Sequence, residues 1–286
     1  MIAVTGADGF IGKNLVDHLK KHTDSKIISV DFNNCDYNPW DFLSLLSDSK
    51  EIKTIFHNGA CSSTTEQDPF FISRVNTDYT CNLIKICAIK NINLIYASSA
   101  SVYGDGPFGE NDIKTPKNLY AKSKSIIDDY ADMFLSERFQ LVSLRYFNVY
   151  GRNESHKGDM ASVMYKFKTQ VDSGKINLFE GSQSYRRDFV HIDDVISINM
   201  FFYENTNYSG IYNVGTGMSR SYKDVADIFC KRYGVKINLI DFPEHLNGKY
   251  QKFTESDNSK LNKLYNHKYL SLEEGINKYM DFLENE

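Results

Sequence analysis

Apolar and β-branched positions fall in short runs along the first half of the chain, at Ile2 to Thr5, Lys26 to Val30, Thr54 to His57, Asn93 to Ala97 and Leu141 to Tyr146. Runs of that length bounded by polar residues predict buried strands. Between several of them the apolar spacing changes to a helical period, notably over Phe10 to Lys21, Phe70 to Lys90 and Asn118 to Phe139. The alternation predicts an α/β fold with a doubly wound parallel sheet and crossover helices on both faces.

Beyond Tyr150 the pattern loosens into a glycine- and charge-rich loop, Gly151 to Asp159. A helix is predicted from Met160 to Val171, and a short strand at Ile176 to Phe179. A helix over Asp193 to Tyr203 and a strand at Ile211 to Val214 are expected to rejoin the sheet. The expected division is therefore discontinuous: residues 1–150 plus roughly 187–216 form one domain, and roughly 151–186 plus 217–286 form a smaller C-terminal α/β lobe. Helices over Ser221 to Tyr233 and Leu272 to Leu283 complete that lobe.

The 286 residues are 41% hydrophobic, 14% aromatic and 24% charged, which is ordinary globular composition. A chain of this size buries roughly three-quarters of its unfolded surface without help from disulfides. With 33 basic and 37 acidic residues the net charge is −4, which gives no basic excess for nucleic-acid phosphates or anionic lipid. No apolar stretch approaches the ~20 residues of a membrane span, and no signal-peptide pattern opens the chain. The five cysteines form no CxxC pair and have no histidines at zinc-ligand spacing. They read as reduced thiols in a cytoplasmic protein, with no metal site.

Candidate chemistry begins right after the first strand. Gly6, Gly9 and Gly12, with Phe10 and Ile11 between the last two, give the spacing GxxGxxG at the start of a helix. Glycines there let the backbone turn tightly and approach a pyrophosphate, which the helix N-terminus favours. Asp31 closes the second strand, where a carboxylate accepts hydrogen bonds from an adenosine ribose, and Phe32 follows with no nearby lysine or arginine. Those residues favour NAD over NADP.

Tyr120 and Lys124 stand one turn apart on a predicted helix face, so the ammonium is expected to bring the phenol toward neutral titration. Such a pair is a common surface feature, and its weight comes from its company. Ser98, Ser99 and Ser101 follow the fourth strand, where a doubly wound sheet opens its ligand crevice. Glycine loop, serines and Tyr/Lys pair together resemble the short-chain dehydrogenase/reductase superfamily in its extended Rossmann form. The members that eliminate water carry an acidic pair near Ser99. Ala100 and Ser101 supply no such acid or base, leaving reversible hydride transfer.

Longer stretches are more specific: His57 to Glu66, Arg145 to Gly151, His156 to Ser162, Leu178 to Ser182 leading to Arg187-Asp188-Phe189-Val190, and Gly248 to Gln251. Nearly end to end, they are similar to the sugar-nucleotide epimerase family, and within it to the enzymes that invert C6 of an ADP-activated heptose for the lipopolysaccharide core. The resemblance implies a nucleotide-sugar substrate, tightly bound NAD or NADP that is recycled, and a homo-oligomer. It implies Ser99, Tyr120 and Lys124 as the catalytic set, with Lys157 as a second acid/base. Asn58, Gly59, Ala60, Cys61, Ser62, Asn76, Lys124, Val149 and Lys157 are then expected at the dinucleotide. Ser99, Asn148, Phe179, Glu180, Gly181, Ser182, Arg187 and Tyr250 are expected at the sugar nucleotide.

Three departures stand out. The segment after Asp31 is short and lacks the lysines that meet a 2′-phosphate in that family, so the family's lean to NADP opposes the lean to NAD here. In the substrate loop, Asp159 and Lys166 replace the usual serine and histidine. A UDP-hexose 4-epimerase, an NADPH-dependent keto-sugar reductase and an NAD-binding module without turnover remain as alternatives. The complete Ser99, Tyr120 and Lys124 set argues against the last of these.

Overall fold

The computed structural model describes residues 1–33, 35–135, 138–244 and 251–285. Strand and helix alternate through β1 (Ile2–Thr5), α1 (Phe10–His22), β2 (Ile27–Val30), α2 (Pro39–Asp48), β3 (Thr54–His57), α3 (Pro69–Ile72), α4 (Tyr79–Lys90), β4 (Asn93–Ser99), α5 (Leu119–Asp132) and β5 (Leu141–Tyr146). Then come β6 (Asn148–Tyr150), α6 (Val163–Lys168), β7 (Lys175–Phe179), β8 (Arg186–Arg187), β9 (Phe189–His191), α7 (Ile192–Glu204) and β10 (Gly210–Val214). The chain finishes with β11 (Arg220–Ser221), α8 (Tyr222–Tyr233), β12 (Lys236–Ile240), α9 (Ser259–Asn262) and α10 (Leu272–Glu284).

Six strands form one sheet in the order β10-β5-β4-β3-β1-β2, and every pair is parallel. β1 is buried along its whole length, as a strand covered on both faces must be. One face packs Leu15 and Leu19 of α1 with Val195 and Ile198 of α7; the other packs Phe42, Leu83, Ile84 and Ile127 from α2, α4 and α5. The chain runs outward from β1 to β2 and then crosses back to β3. The carboxyl ends of β1 and β3 therefore flank the crevice where such sheets hold ligands. A third cluster gathers Met164, Phe167, Ile176, Phe229 and Met280 beneath the parallel pair β7 and β12.

Most predicted elements occur within a residue or two of their expected bounds. Two helices are shorter. The helix expected to run to Phe139 ends at Asp132, where bonds from Met133 to Tyr130 and Phe134 to Ala131 tighten the last turn. The helix expected over Met160 to Val171 is confined to α6, because a 3-10 segment, Ser155–Met160, precedes it and kinks at Gly158 with φ +52. Helix α2 lay outside the prediction, although Asn38 caps it by accepting from the Trp40 and Asp41 amides and Pro39 occupies its first turn. Among the described residues no helix is long and apolar enough to cross a membrane.

Candidate active site

The glycine loop is a close-packed turn. Gly6 adopts φ +69, and a Cβ there would stand 2.5 Å from the Gly59 amide nitrogen. At Gly12 a Cβ would sit 2.0 Å from the Gly6 carbonyl oxygen, so only glycine lets α1 pack on the loop. Gly9 caps α1 without a side-chain acceptor, which leaves first-turn N–H groups open at the wall of a cavity of about 770 Å³. That is a donor set for an anionic diphosphate. Gly6, Gly9, Phe10, Ile11 and Gly12 line this cavity, as do Asn58, Gly59, Ala60, Cys61, Ser62 and Val149.

Asp31 lines the same cavity from the end of β2, its carboxylate accepting from the Asp8 amide at 3.0 Å and the Phe32 amide at 2.8 Å. Phe32, Pro39 and Trp40 complete that end. Asn76 is elsewhere: buried in a π-helical turn, its amide clasps the Cys61 backbone in both directions and reaches Ser123 Oγ. It holds the wall and does not line the cavity.

Ser99, Tyr120 and Lys124 line the same cavity from β4 and α5. A hydrogen bond joins the Ser99 and Tyr120 side chains. Burial raises the Tyr120 phenol above its ordinary value; the Ser99 bond opposes this and Cys61 adds to it. This departs from the expectation that Lys124 draws the phenol toward neutrality. Lys124 Nζ donates instead to the Ala97 carbonyl at 2.7 Å and lies 6.0 Å from the Tyr120 ring centre. Burial itself brings Lys124 down to about 8, against the attraction of Asp128.

Lys157 enters from the opposite side on the 3-10 segment, its Nζ 5.0 Å over the Phe10 ring. Burial lowers its pKa, with Glu154 raising it and Lys166 lowering it further. Lys157 lines the first cavity and also a second of about 530 Å³, as do Phe147, Val149 and Met160, so the two spaces meet at its side chain. Asn148, Lys166, Phe179 and Ser182 line the second cavity.

Asp159, Glu180, Gly181 and Arg187 line neither. Asp159 contributes its carbonyl, which accepts from Lys166 Nζ at 2.7 Å. Arg187 is buried and donates to the carbonyls of Arg186 and Gln251, with its guanidinium over Tyr222. Tyr250, with Gly248 and Lys249, lies outside the described residues.

Sequence reasoning missed three buried polar groups behind the walls. His57 bridges Thr5 and Thr80, at 2.5 and 2.8 Å, across β1 and α4, and its pKa falls to about 3 through burial and then Lys124. Asp128 accepts from Tyr96, Ser98, Ser143 and Arg145 under α5. Glu154 is fully buried in the loop that carries Lys157. The position of Asp128 one turn after Lys124 was the available signal for it; nothing local marks His57 or Glu154.

A parallel sheet, a glycine loop, and a Ser/Tyr/Lys set at its carboxyl edge define a nucleotide-dependent oxidoreductase-like fold. A family model described as the NAD dependent epimerase/dehydratase family matches residues 2–215, and the chain belongs to that family. It is 42% identical to an ADP-L-glycero-D-manno-heptose-6-epimerase of Brachyspira hyodysenteriae, over 99% of this chain and 98% of that one. The crystal structure of the Helicobacter pylori ADP-L-glycero-D-manno-heptose-6-epimerase matches with a TM-score of 0.86 at 29% identity, covering 99% and 96% of the two chains. A UDP-N-acetylglucosamine 4-epimerase from Methanobrevibacter ruminantium M1 also superposes at 0.86, with 25% identity over 100% and 98%.

Proposed function

We propose that this protein inverts C6 of ADP-D-glycero-D-manno-heptose, giving the L-glycero epimer, and that NAD bound in the larger cavity is recycled. One observation carries the reading: Tyr120 and Lys157 face the same cavity from different elements, and Lys157 alone of the two also borders the second cavity. Inversion at a carbinol needs a proton acceptor on one face and a donor on the other. The 42% identity to the heptose epimerase supports the same substrate.

A nicotinamide dinucleotide held by the glycine loop, Asp31 and the wall from Asn58 to Ser62 would supply reversible acceptance of hydride from C6. Tyr120, assisted by Ser99, takes the C6 hydroxyl proton as the carbonyl forms. Rotation about C5–C6 of the resulting 6-keto sugar presents the other face, and Lys157 gives a proton to the oxygen as the C–H bond re-forms. Electrons balance within the cycle, and solvent exchange resets the two side chains. The diphosphate of the cofactor is assigned to the open N–H groups of α1, and the ADP of the substrate to the cavity beneath Asn148, Phe179 and Ser182. Residues 151–186 and 217–286 are assigned to the substrate side.

NAD is favoured over NADP by charge. The Cys35 thiol beside the Asp31 loop is pushed up by burial, then by Asp31, Asp8 and Asp36, with Lys20 opposing, so three carboxylates act together where a 2′-phosphate would approach Asp31. Of the residues that line that end of the cavity, Asp8, Asp31, Phe32, Pro39 and Trp40, none is basic; the Arg74 guanidinium lies 5.3 Å from the centre of the Trp40 ring but does not line the cavity.

The test removes each proton-transfer group separately. Tyr120→Phe and Lys157→Met are each expected to lose about 100-fold or more in kcat while retaining bound cofactor. Near wild-type turnover in either variant contradicts the two-base assignment.

A further inference from the structure

The loop from Gly151 to Ser162 leaves the sheet, carries Lys157 to the junction of the two cavities and returns as α6. One buried side chain, that of Glu154, ties its two ends together. Glu154 is 0% exposed, and its Oε1 accepts from the Gly151 amide at 3.3 Å where the loop begins. Where the loop ends, Ser162 donates its amide to Oε2 and its hydroxyl to Oε1, both at 2.7 Å. The backbone carbonyl of Glu154 also accepts from the Lys157 amide at 3.0 Å.

We propose that Glu154 is a positioning residue for the reaction: its buried carboxylate closes the loop end to end and thereby fixes Lys157 Nζ over Phe10, at the height where both cavities reach it. The inference rests on the assignment of Lys157 as the second acid/base.

Two features separate this role from simple loop packing. A carboxylate taken fully out of water costs free energy, and its partners here are neutral N–H and O–H donors, which an uncharged amide oxygen could in part satisfy without burying a charge. Its charge has a use at Lys157. Burial favours the neutral amine there, Lys166 adds to that, and Glu154 is the acidic group that opposes both. His156 stands beside Lys157 on the cavity wall, and Tyr120 and Lys124 face it across the space. Lys166 itself is held by the Asp159 carbonyl. A lysine that must take and give a proton gains from an opposing charge that keeps the ammonium accessible.

The experiment compares Glu154→Gln, Glu154→Asp and Lys157→Met as holoenzymes with ADP-D-glycero-D-manno-heptose, measuring cofactor content, KM, kcat and the pH profile of kcat. Glutamine keeps size and acceptor but removes charge. Its kcat is expected to fall about 10-fold or more with KM within about threefold, and its alkaline limb to move down by about half a unit or more. Aspartate keeps charge but cannot span both loop ends, so its kcat is expected to fall while the limb stays. The double variant Glu154→Gln/Lys157→Met should be no slower than Lys157→Met alone, because Glu154 acts through Lys157.

Wild-type kcat in Glu154→Gln, or a loss confined to KM with an unmoved limb, overturns the proposal. If Glu154→Gln does not fold, Ser162→Ala removes one bond of the clasp together with the hydroxyl's cap on the Tyr165 amide of α6, and keeps the Ser162 amide on Glu154; Ser162→Thr, which keeps the hydroxyl, is its control. A several-fold loss of kcat at constant KM is expected of Ser162→Ala, and wild-type kcat is again the refuting result. Full activity in Lys157→Met would defeat the two-base reading, whereas an inactive Lys157→Met beside a wild-type Glu154→Gln defeats only the role given to Glu154.

Discussion

Lys124 is 3% exposed, and its ammonium meets a carbonyl oxygen where the unfolded chain would offer water. Its value of about 8 in the fold lies below the ordinary 10.5, so between those values the folded chain holds fewer protons here than the unfolded chain. Stability therefore rises with pH across that window, and the burial penalty is present in full below about pH 8. The gap corresponds to about 3 kcal/mol. Lys124→Met is expected to be more stable than wild type in urea at pH 7, with the advantage shrinking toward pH 10. A less stable variant whose deficit ignores pH would contradict this. Asp31 offers a second test: with its carboxylate positioned by the Asp8 and Phe32 amides, Asp31→Asn should weaken NAD more than NADP in titrations of cofactor-free protein. Equal weakening of both would remove the ribose contact from the account.

One buried carboxylate of helix α5 reaches two strands of the sheet at once. Asp128 accepts from Tyr96 and Ser98 of β4 and from Ser143 and Arg145 of β5, and Arg145 continues to the Tyr103 hydroxyl at 2.8 Å. Because the Arg145 side chain is 2% exposed, Asp128→Asn leaves a guanidinium buried without its counter-charge. A loss of about 3–5 kcal/mol in urea unfolding is expected, and a loss under about 1 kcal/mol would show that the pair is dispensable. Elements of this kind show where sequence reading succeeds. Strands β1, β3 and β5 were legible because both of their faces are buried, so their apolar runs are continuous, whereas the edge strand β2 alternates between buried and half-buried positions. Helix α5 was legible at its start, through Asn118, which accepts from the Ala121 amide, but not at its end, where tertiary packing tightens the last turn. That Ser99, Tyr120 and Lys124 meet at one cavity was legible because their spacing along strand and helix is local. Where the Lys124 ammonium points was not, since the Ala97 carbonyl that captures it lies on another element. Glu154 was invisible for the same reason, its partners being brought together only by the return of the loop.

Across the whole molecule, the sheet edge supplies one cavity and the packing of β6, α6 and β7 beside it supplies another, with Lys157 at their junction. A transient ketone that must turn about one bond without escaping needs such an arrangement: the anionic ends of cofactor and substrate held in separate spaces, and the reacting carbon free between them. The most direct test is an NMR-followed incubation of the purified protein with ADP-D-glycero-D-manno-heptose and no added cofactor, with absorbance recorded for reduced nicotinamide. The account predicts conversion to the L-glycero epimer with no net accumulation of NADH. Unchanged substrate in the presence of bound NAD, or reduction that consumes cofactor one for one, would contradict it.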